Sequence, residues 1–463
     1  MIHLPTLQAL SHNLQVKRFD VPRDLSTTLP QPVFNEGNIT PDPTRFKVKH
    51  PSDTQQYKAI QNLLKKDTVS FETSRVAPDA LFTLEEAYGP HGPEIVSGIK
   101  AAKKLVFHAA GDTGASNEGK YGYERSVADQ VTQDCRTSDA TNRAMFFFHL
   151  GDVVYDFGES KYYYDQFYDP YRNYPGPIFA IPGNHDSFVI PNTPAGSTPL
   201  ETFARNFCAT APDITPEAAS LHRTAMTQPG VYFTLDAPFV RIIGLFSNAL
   251  EDPGFISSEK GRWPGVPDVQ LDFLTAQLTR IKKEKYAGAV ILAMHHPPFS
   301  YSPPPKSAGT GGNHSGSPNM LQQIDTICTQ VGVYPHAVLS GHAHNYQRYS
   351  RIFTFGGNDI EVPFIVCGDA GHNVNTMVKG RRGAPAQEPN FGADVTYMEA
   401  KAAAVKIKQL ILKHYDDTNY GYLRVTVDQA SLKIGFHQVG QSVPQSRVDL
   451  VTIDLKSRQV IGN

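Results

Sequence analysis

The sequence predicts an α/β fold, and two observations carry that prediction. Five short apolar runs, at residues 104–111, 144–150, 177–183, 289–294 and 337–341, alternate with helical patterns and long loops. Each run also ends on oxygen or nitrogen donors: Asp112; Asp152 and Tyr155; Asn184, His185 and Asp186; His295 and His296; His342 and His344. In open α/β sheets, chemistry gathers beyond the carboxyl ends of the strands. A single Gly-Asp after a strand is only a turn, but five strand ends of one character describe a site.

Taken in order, residues 1–100 read as an N-terminal extension with a packing or capping role. Residues 20–54 are rich in Pro, Asn and Thr and predict an extended segment. Ile60, Leu63 and Leu64 have helical spacing within 57–66, and residues 81–104 hold a second, weaker helical stretch. Residues 101–463 form the main domain. After the first two strands, residues 161–174 carry Tyr162, Tyr163, Tyr164, Tyr168, Tyr171 and Tyr174 and predict a helix laying an aromatic face on the sheet. Residues 231–245 predict two strands joined by a turn at Asp236-Ala237-Pro238. Leu271, Leu274, Leu278 and Ile281 mark one face of a helix ending in Lys282-Lys283, basic residues suited to a helix C-terminus. A Pro/Gly/Ser loop at 301–319 holds His314. Residues 422–427 and 432–436 flank Asp428-Gln429-Ala430-Ser431, a hairpin pattern, and 450–455 add a further strand. No internal repeat of fixed period is present.

Composition narrows the function classes. A chain of 463 residues predicts one large domain with extensions, or two domains. Its 36 glycines and 35 prolines predict turn-rich connections of the kind that carry function on a rigid scaffold. A net charge of −2 gives no electrostatic case for nucleic acid or an anionic membrane surface. No apolar run reaches the roughly 18 residues of a membrane span. The first residues lack a basic stretch followed by an apolar one, which predicts a cytoplasmic protein as the sequence stands, periplasmic or secreted if a signal was removed. Cys135, Cys208, Cys328 and Cys367 form no Cys-x-x-Cys pair and read as reduced thiols or core residues, with a single disulfide left open.

Asp112, Asp152, Tyr155, Asn184, His295, His342 and His344 offer oxygen and imidazole nitrogen but no thiolate. That is more than one tetrahedral zinc uses, and the hardness of the set argues against a structural Cys-type site. A two-metal centre accounts for the number if one carboxylate bridges; metals about 3.5–4 Å apart can hold a phosphoryl oxygen and activate a water. Asp152, on the middle of the first three strands, is the natural bridge. At a strand end that turns into a loop, His342 and His344 can serve different metals.

Asp112 in Gly-Asp-Thr-Gly, Gly151-Asp152-Val153-Val154-Tyr155, Gly183-Asn184-His185-Asp186, His295-His296-Pro297 and Gly341-His342-Ala343-His344 resemble the five ordered motifs of the calcineurin-like metallophosphoesterases. Within that superfamily they are most similar to the purple acid phosphatases: Gly114 stands where many relatives place a histidine, and Tyr155 follows the second aspartate by three. The resemblance spans roughly residues 104–440 and does not cover 1–100, which does not read as the β-sandwich of plant-type relatives.

The resemblance implies a four-layer αββα sandwich of two mixed β-sheets. It implies Fe(III) on Asp112, Tyr155 and His344, a divalent Fe, Zn or Mn on Asn184, His295 and His342, and Asp152 as the bridge. A trivalent ion would deprotonate the phenol, and the centre would carry about +2, which suits a phosphate anion. The implied reaction is in-line attack of metal-bound hydroxide on a small phosphate monoester at mildly acidic pH. A phosphodiesterase or nucleotide hydrolase with the same centre is the alternative. The candidate catalytic residues are His185 and His314, for protonation of the leaving oxygen or a transition-state hydrogen bond, and His296, which orients a ligand. Substrate contacts are expected from the loops near 187–199 and 301–319 and from Trp263. His108 and His149 read as hydrogen-bonded core residues, Asp369 as a turn or ligand-supporting residue, and Arg348 as the partner of an acid or a surface charge.

Overall fold

Strands rich in β-branched and aromatic residues pair into two sheets that face each other across one core. The structure, a computed structural model, describes Asn62 and residues 78–462, apart from 116–117, 156, 188–199, 220, 304–310, 313, 380–388, 400–403 and 441–446. The segments expected at 20–54 and 57–66 therefore lie outside the described residues, but for Asn62.

In chain order the strands are β1 (Leu81–Thr83), β2 (Lys104–Ala110), β3 (Ala144–His149), β4 (Ile178–Ala180), β5 (Phe233–Ala237), β6 (Val240–Leu245), β7 (Ala289–Met294), β8 (Gly311–Gly312) and β9 (Ala337–Ser340). They continue as β10 (Tyr346–Phe355), β11 (Asn358–Cys367), β12 (Val378–Lys379), β13 (Ala393–Asp394), β14 (Lys406–Asp416), β15 (Gly421–Asp428), β16 (Ser431–Gln438), β17 (Arg447–Asp454) and β18 (Gln459–Gly462). One sheet has the order β4-β3-β2-β15-β16-β17-β18, parallel through β2, β3 and β4 and antiparallel beyond. The other has the order β1-β5-β6-β7-β9-β11-β10-β14-β13, parallel from β6 through β11. β8 and β12 form a small separate ribbon.

The helices are α1 (Leu84–Ala87), α2 (Gly92–Ala102), α3 (Glu118–Asp134), α4 (Glu201–Phe207), α5 (Val269–Lys283) and α6 (Pro318–Val331). α2 and α3 lie against the first sheet, α5 against the second, and α6 against α5. This is the αββα layering that the resemblance implied.

The five apolar runs are β2, β3, β4, β7 and β9. Parallel strands covered on both faces read as continuous apolar stretches, which is why they stand out in the sequence. Phe146, Phe147 and Phe148 of β3 are all fully buried. Phe146 stacks on Phe107 of β2 at 4.6 Å, and Phe148 meets Phe233 of the opposite sheet at 6.0 Å. Each such ring contributes about 1.5–3 kcal/mol through burial. α5 turns Phe273, Leu274, Leu278 and Ile281 inward and ends on Lys282 and Lys283. Leu271 is only half-buried at its edge.

Four local expectations need correction. The turn between β5 and β6 falls on Pro238-Phe239 rather than 236–238: Asp236 and Ala237 still pair with Arg241 and Val240, and Phe239 takes a φ of 71°. The 161–174 segment is not a continuous α-helix. It is a 3₁₀ turn at Ser160–Tyr162, a π-helical turn at Tyr164–Tyr168 and further turns, because its tyrosines point to several surroundings instead of one face. The Leu81–Thr83 part of the expected helical stretch is a strand. It pairs in parallel with β5, and Phe82, Leu84, Ile95 and Ile99 join the common core. In the hairpin, β15 and β16 extend further than the pattern suggested and leave only Gln429 and Ala430 between them.

His108 is buried between Tyr174 Oη at 3.1 Å and Asp134 at 2.8 Å; His149 bonds Thr113 Oγ1 at 2.9 Å and accepts from the Gly151 N–H. Arg348 forms a buried two-pronged pair with Asp449 at 2.7 and 2.9 Å. The four cysteines are free thiols, three of them buried. Among the described residues, no helix is long and apolar enough to cross a membrane.

Candidate metal centre

The loops after β2, β3, β4, β7 and β9 meet at one end of the two sheets. The chain turns sharply there: Asp112, Asp152 and His342 take φ values of 59°, 56° and 69°, the left-handed region that few non-glycine residues occupy. Asp and His tolerate it better than most residues, and such outliers gather at functional sites. Neighbouring glycines make room. A Cβ on Gly183 would collide with Asp152 Oδ1, and one on Gly341 would sit 2.6 Å from Asp112 Oδ2. A Cβ on Gly151 would lie 2.6 Å from His295 Nδ1.

Two groups of donors result. In the first, Asp112 Oδ1 accepts from the Tyr155 hydroxyl at 3.0 Å and lies 3.4 Å from His344 Nε2; the phenol oxygen is 3.3 Å from the same nitrogen. In the second, Asn184 Oδ1 stands 3.0 Å from His295 Nε2 and 3.1 Å from His342 Nδ1. Asp152 lies between the groups. Its Oδ2 is 3.3 Å from His295 Nε2, its Oδ1 accepts the His185 N–H at 2.9 Å, and it shares a metal-sized cluster with Asp112 and His295. His342 and His344 thus face different groups, as the strand-end geometry allowed.

The donor set fits a cation. Asp152 Oδ2 and His342 Nε2 are buried without a hydrogen-bond partner. The other imidazole nitrogens are fixed from behind: His295 Nδ1 donates to the Leu150 carbonyl at 2.9 Å, which turns its Nε2 inward, and His344 Nδ1 meets Asn375 at 3.2 Å. Supporting contacts of this kind are what metal-ligating histidines use. Electrostatics point the same way. Burial pushes the Asp112 carboxyl up to about 8, with Asp152 adding to the rise. Burial also opposes charge on Asp152, but His295 and His185 outweigh it and hold that carboxyl well below its usual range. His295 is raised to about 9, because Asp152 and Asp112 outweigh its burial. The pocket therefore favours positive charge beside Asp152. Burial, with Asp112 and Asp152, drives the Tyr155 phenol far above its ordinary pKa, so only a strong cation would ionise it.

Around this core, His185 lies on one face of the Tyr155 ring at 4.4 Å. His314 lies 4.3 Å from the His342 ring and 5.2 Å from that of His344, with Nδ1 3.4 Å from Glu251. His296 is engaged on both ring nitrogens, by Ser247 Oγ at 2.8 Å and the Leu250 carbonyl at 2.6 Å. It lies 4.2 Å from the His342 ring, with both of its ring nitrogens already engaged. Asp186 accepts the N–H groups of Val153, Val154 and Gly183 and ties the second and third loops together. Asp369 is fully buried, 3.5 Å from Cys367 Sγ. Trp263 is buried against Phe255 at 4.5 Å, and the 188–199 part of the expected substrate loop lies outside the described residues.

Sequence reading missed four residues of this site. Glu251 and Asp252 follow β6, whose carboxyl end lies at the same edge. Glu251 accepts from Asn184 Nδ2 at 3.4 Å, and Asp252 faces His342 Nε2 at 3.8 Å and clusters with His314 and His342. Gln166 accepts from the Tyr155 N–H at 2.8 Å and donates to its carbonyl at 2.9 Å. Gln166 also explains Gly114: a Cβ there would lie 2.5 Å from Gln166 Oε1 and from the Val153 carbonyl, so no histidine fits. His372, three residues after Asp369, stacks on Tyr155.

Two facing mixed sheets with hard oxygen and imidazole donors gathered at their strand ends define a metallophosphoesterase architecture. The model of the calcineurin-like phosphoesterases matches residues 105–346, just over half of the chain, and the chain belongs to that family. Solved structures of similar fold include the purple acid phosphatase PPD1 from yellow lupin (Lupinus luteus) seeds, with 16% identity and a TM-score of 0.47 over 76% of this chain and 54% of that one. GAP50, the anchor in the inner membrane complex of Plasmodium, has 11% identity and a TM-score of 0.43 over 75% and 88%. PhoD has 14% identity and a TM-score of 0.41 over 78% and 72%. The chain thus spans about half the length of the lupin protein. No curated protein matches the chain.

Proposed function

We propose that the protein is a two-metal phosphomonoesterase of the purple acid phosphatase type, acting on small phosphate esters with no nucleic-acid or membrane partner. One observation carries this reading: Asp152 lies between an Asp112/Tyr155/His344 group and an Asn184/His295/His342 group. The first group, with a phenol and a carboxylate, would hold Fe(III); the second, with an amide and two imidazoles, would hold a divalent Fe, Zn or Mn; Asp152 would bridge. When bound, such a pair polarises the phosphoryl group and activates a water for attack.

The remaining steps belong to side chains. His185, beside Tyr155 and tied through its backbone to Asp152, protonates the leaving oxygen. His314, beside the His342 and His344 rings and steadied by Glu251, hydrogen-bonds the phosphoryl oxygens. Asp186 and Gln166 keep the loops from shifting.

The test is a paired assay on purified, metal-replete protein. p-Nitrophenyl phosphate should be turned over at least tenfold faster than bis-p-nitrophenyl phosphate, in kcat/KM. A diester-only profile would reject the monoesterase reading. A visible tyrosinate-to-Fe(III) band, lost in Tyr155→Phe, is expected in the oxidised protein; its absence would move the assignment to a divalent pair.

A further inference from the structure

We infer that His372 is a positioning residue for Tyr155, fixing the plane in which the phenol presents its oxygen; this rests on the ferric-tyrosinate reading above. The His372 and Tyr155 rings stack with centroids 3.5 Å apart and planes 14° from parallel. His372 is itself held at three points. Its backbone N–H donates to the Asp112 carbonyl at 2.9 Å, Nδ1 bonds the Gly114 carbonyl at 2.8 Å, and Nε2 meets Lys120 Nζ at 3.2 Å. A carbonyl can only accept, so the ring proton sits on Nδ1 and leaves the Nε2 lone pair for the lysine ammonium. Both ends of the imidazole are therefore occupied, and the ring cannot rotate without breaking a bond.

The segment carrying it is equally constrained. A Cβ on Gly371 would lie 2.5 Å from the Thr113 carbonyl, so this turn is seated directly on the first loop of the centre. Asp112 and Gly114 of the first loop and Tyr155 are thus joined through one residue, Asp112 by its backbone and the other two by its imidazole. Tyr155 needs this support because its other contacts leave one freedom open. Gln166 fixes its backbone and Asp112 receives its hydroxyl, but His185, on its face, is tilted by 41° and 4.4 Å away. A flat ring at van der Waals distance removes the remaining rotation about the Cβ–Cγ bond. Phenolate-to-iron charge transfer depends on overlap between the ring π system and the metal orbitals, so ring orientation can be read optically.

Three measurements on the whole chain test this: the visible band of the iron-loaded oxidised protein, metal retained against a competing chelator, and a double-mutant cycle with Tyr155→Phe. In His372→Ala the band should shift or weaken and metal retention should fall about 10- to 100-fold. The retention loss should vanish in the Tyr155→Phe background. His372→Gln, which keeps polar atoms but not the stacked ring, should behave like the alanine variant and serves if the latter does not fold. An unchanged band and additive losses would overturn the role. If wild-type protein shows no band, the ferric reading fails on its own and the cycle alone decides: coupling supports His372 as Tyr155's support, and additivity rejects it.

Discussion

Asp152→Asn should lower kcat by about 10³-fold or more, or about 4 kcal/mol of transition-state stabilisation, with bound metal falling below two ions per chain. Asparagine keeps the shape of the side chain and its acceptor for the His185 N–H, so the loop should survive. What goes is the negative charge beside His295 and Asp112. A bridging carboxylate binds both ions with one charge, and a neutral amide cannot hold a cation pair together against its own repulsion. Metal analysis and steady-state kinetics on the same preparation check the expectation. Two full equivalents of metal with activity within tenfold of wild type would remove Asp152 from the bridging position.

That substitution could be chosen from the sequence because the strands preceding the site are the legible kind. β3 and β7 are buried on both faces, so each reads as an unbroken apolar run whose end can be counted to the residue. His295 follows the end of β7 directly, and Asp152 stands three residues beyond the end of β3. The candidate donors therefore lay at positions fixed by local pattern. Gly114 and Tyr155 stood out only through the resemblance, and the structure adds that Gln166 occupies the space that a side chain at 114 would need.

The residues that escaped reading are those whose positions are set by packing at a distance. Glu251 and Asp252 stand beyond β6 in a loop with no periodicity, and only the meeting of β6 with β7 brings them to Asn184 and His342. His372 reaches Tyr155 across more than two hundred residues of chain. The tyrosine-rich 161–174 segment misled for a related reason. Tyrosines at helical spacing predict one aromatic face, yet Tyr168 bonds Asn206 at 2.6 Å while Tyr171 and Tyr174 pack on Phe147, and the backbone gives up a regular helix to satisfy both.

A phosphatase of the proposed type would work at mildly acidic pH and must keep its fold there, and His336 sets one limit. It is buried at 8% exposure, with Nδ1 accepting the Val290 N–H at 3.0 Å and Nε2 3.4 Å from the Leu455 carbonyl. Burial, helped by Arg458, lowers its pKa to about 3, against about 6.5 in the unfolded chain. The sign follows from proton uptake. Above pH 6.5 neither state binds the proton, and stability is at its full value. As pH falls from 6.5 toward 3 only the unfolded chain takes it up, so the fold loses about 1.4 kcal/mol per pH unit, or about 2 kcal/mol by pH 5. Many other groups titrate in the same window, and buried carboxyls such as Asp186, raised to about 7 by burial and Asp152, act in the opposite sense. A difference measurement cancels them. His336→Asn keeps an acceptor for Val290 and cannot be protonated. Its stability relative to wild type, from urea unfolding of chelator-treated protein, should be constant between pH 7 and 8 and improve by about 2 kcal/mol at pH 5. A gap independent of pH would mean that His336 takes up its proton within the folded protein.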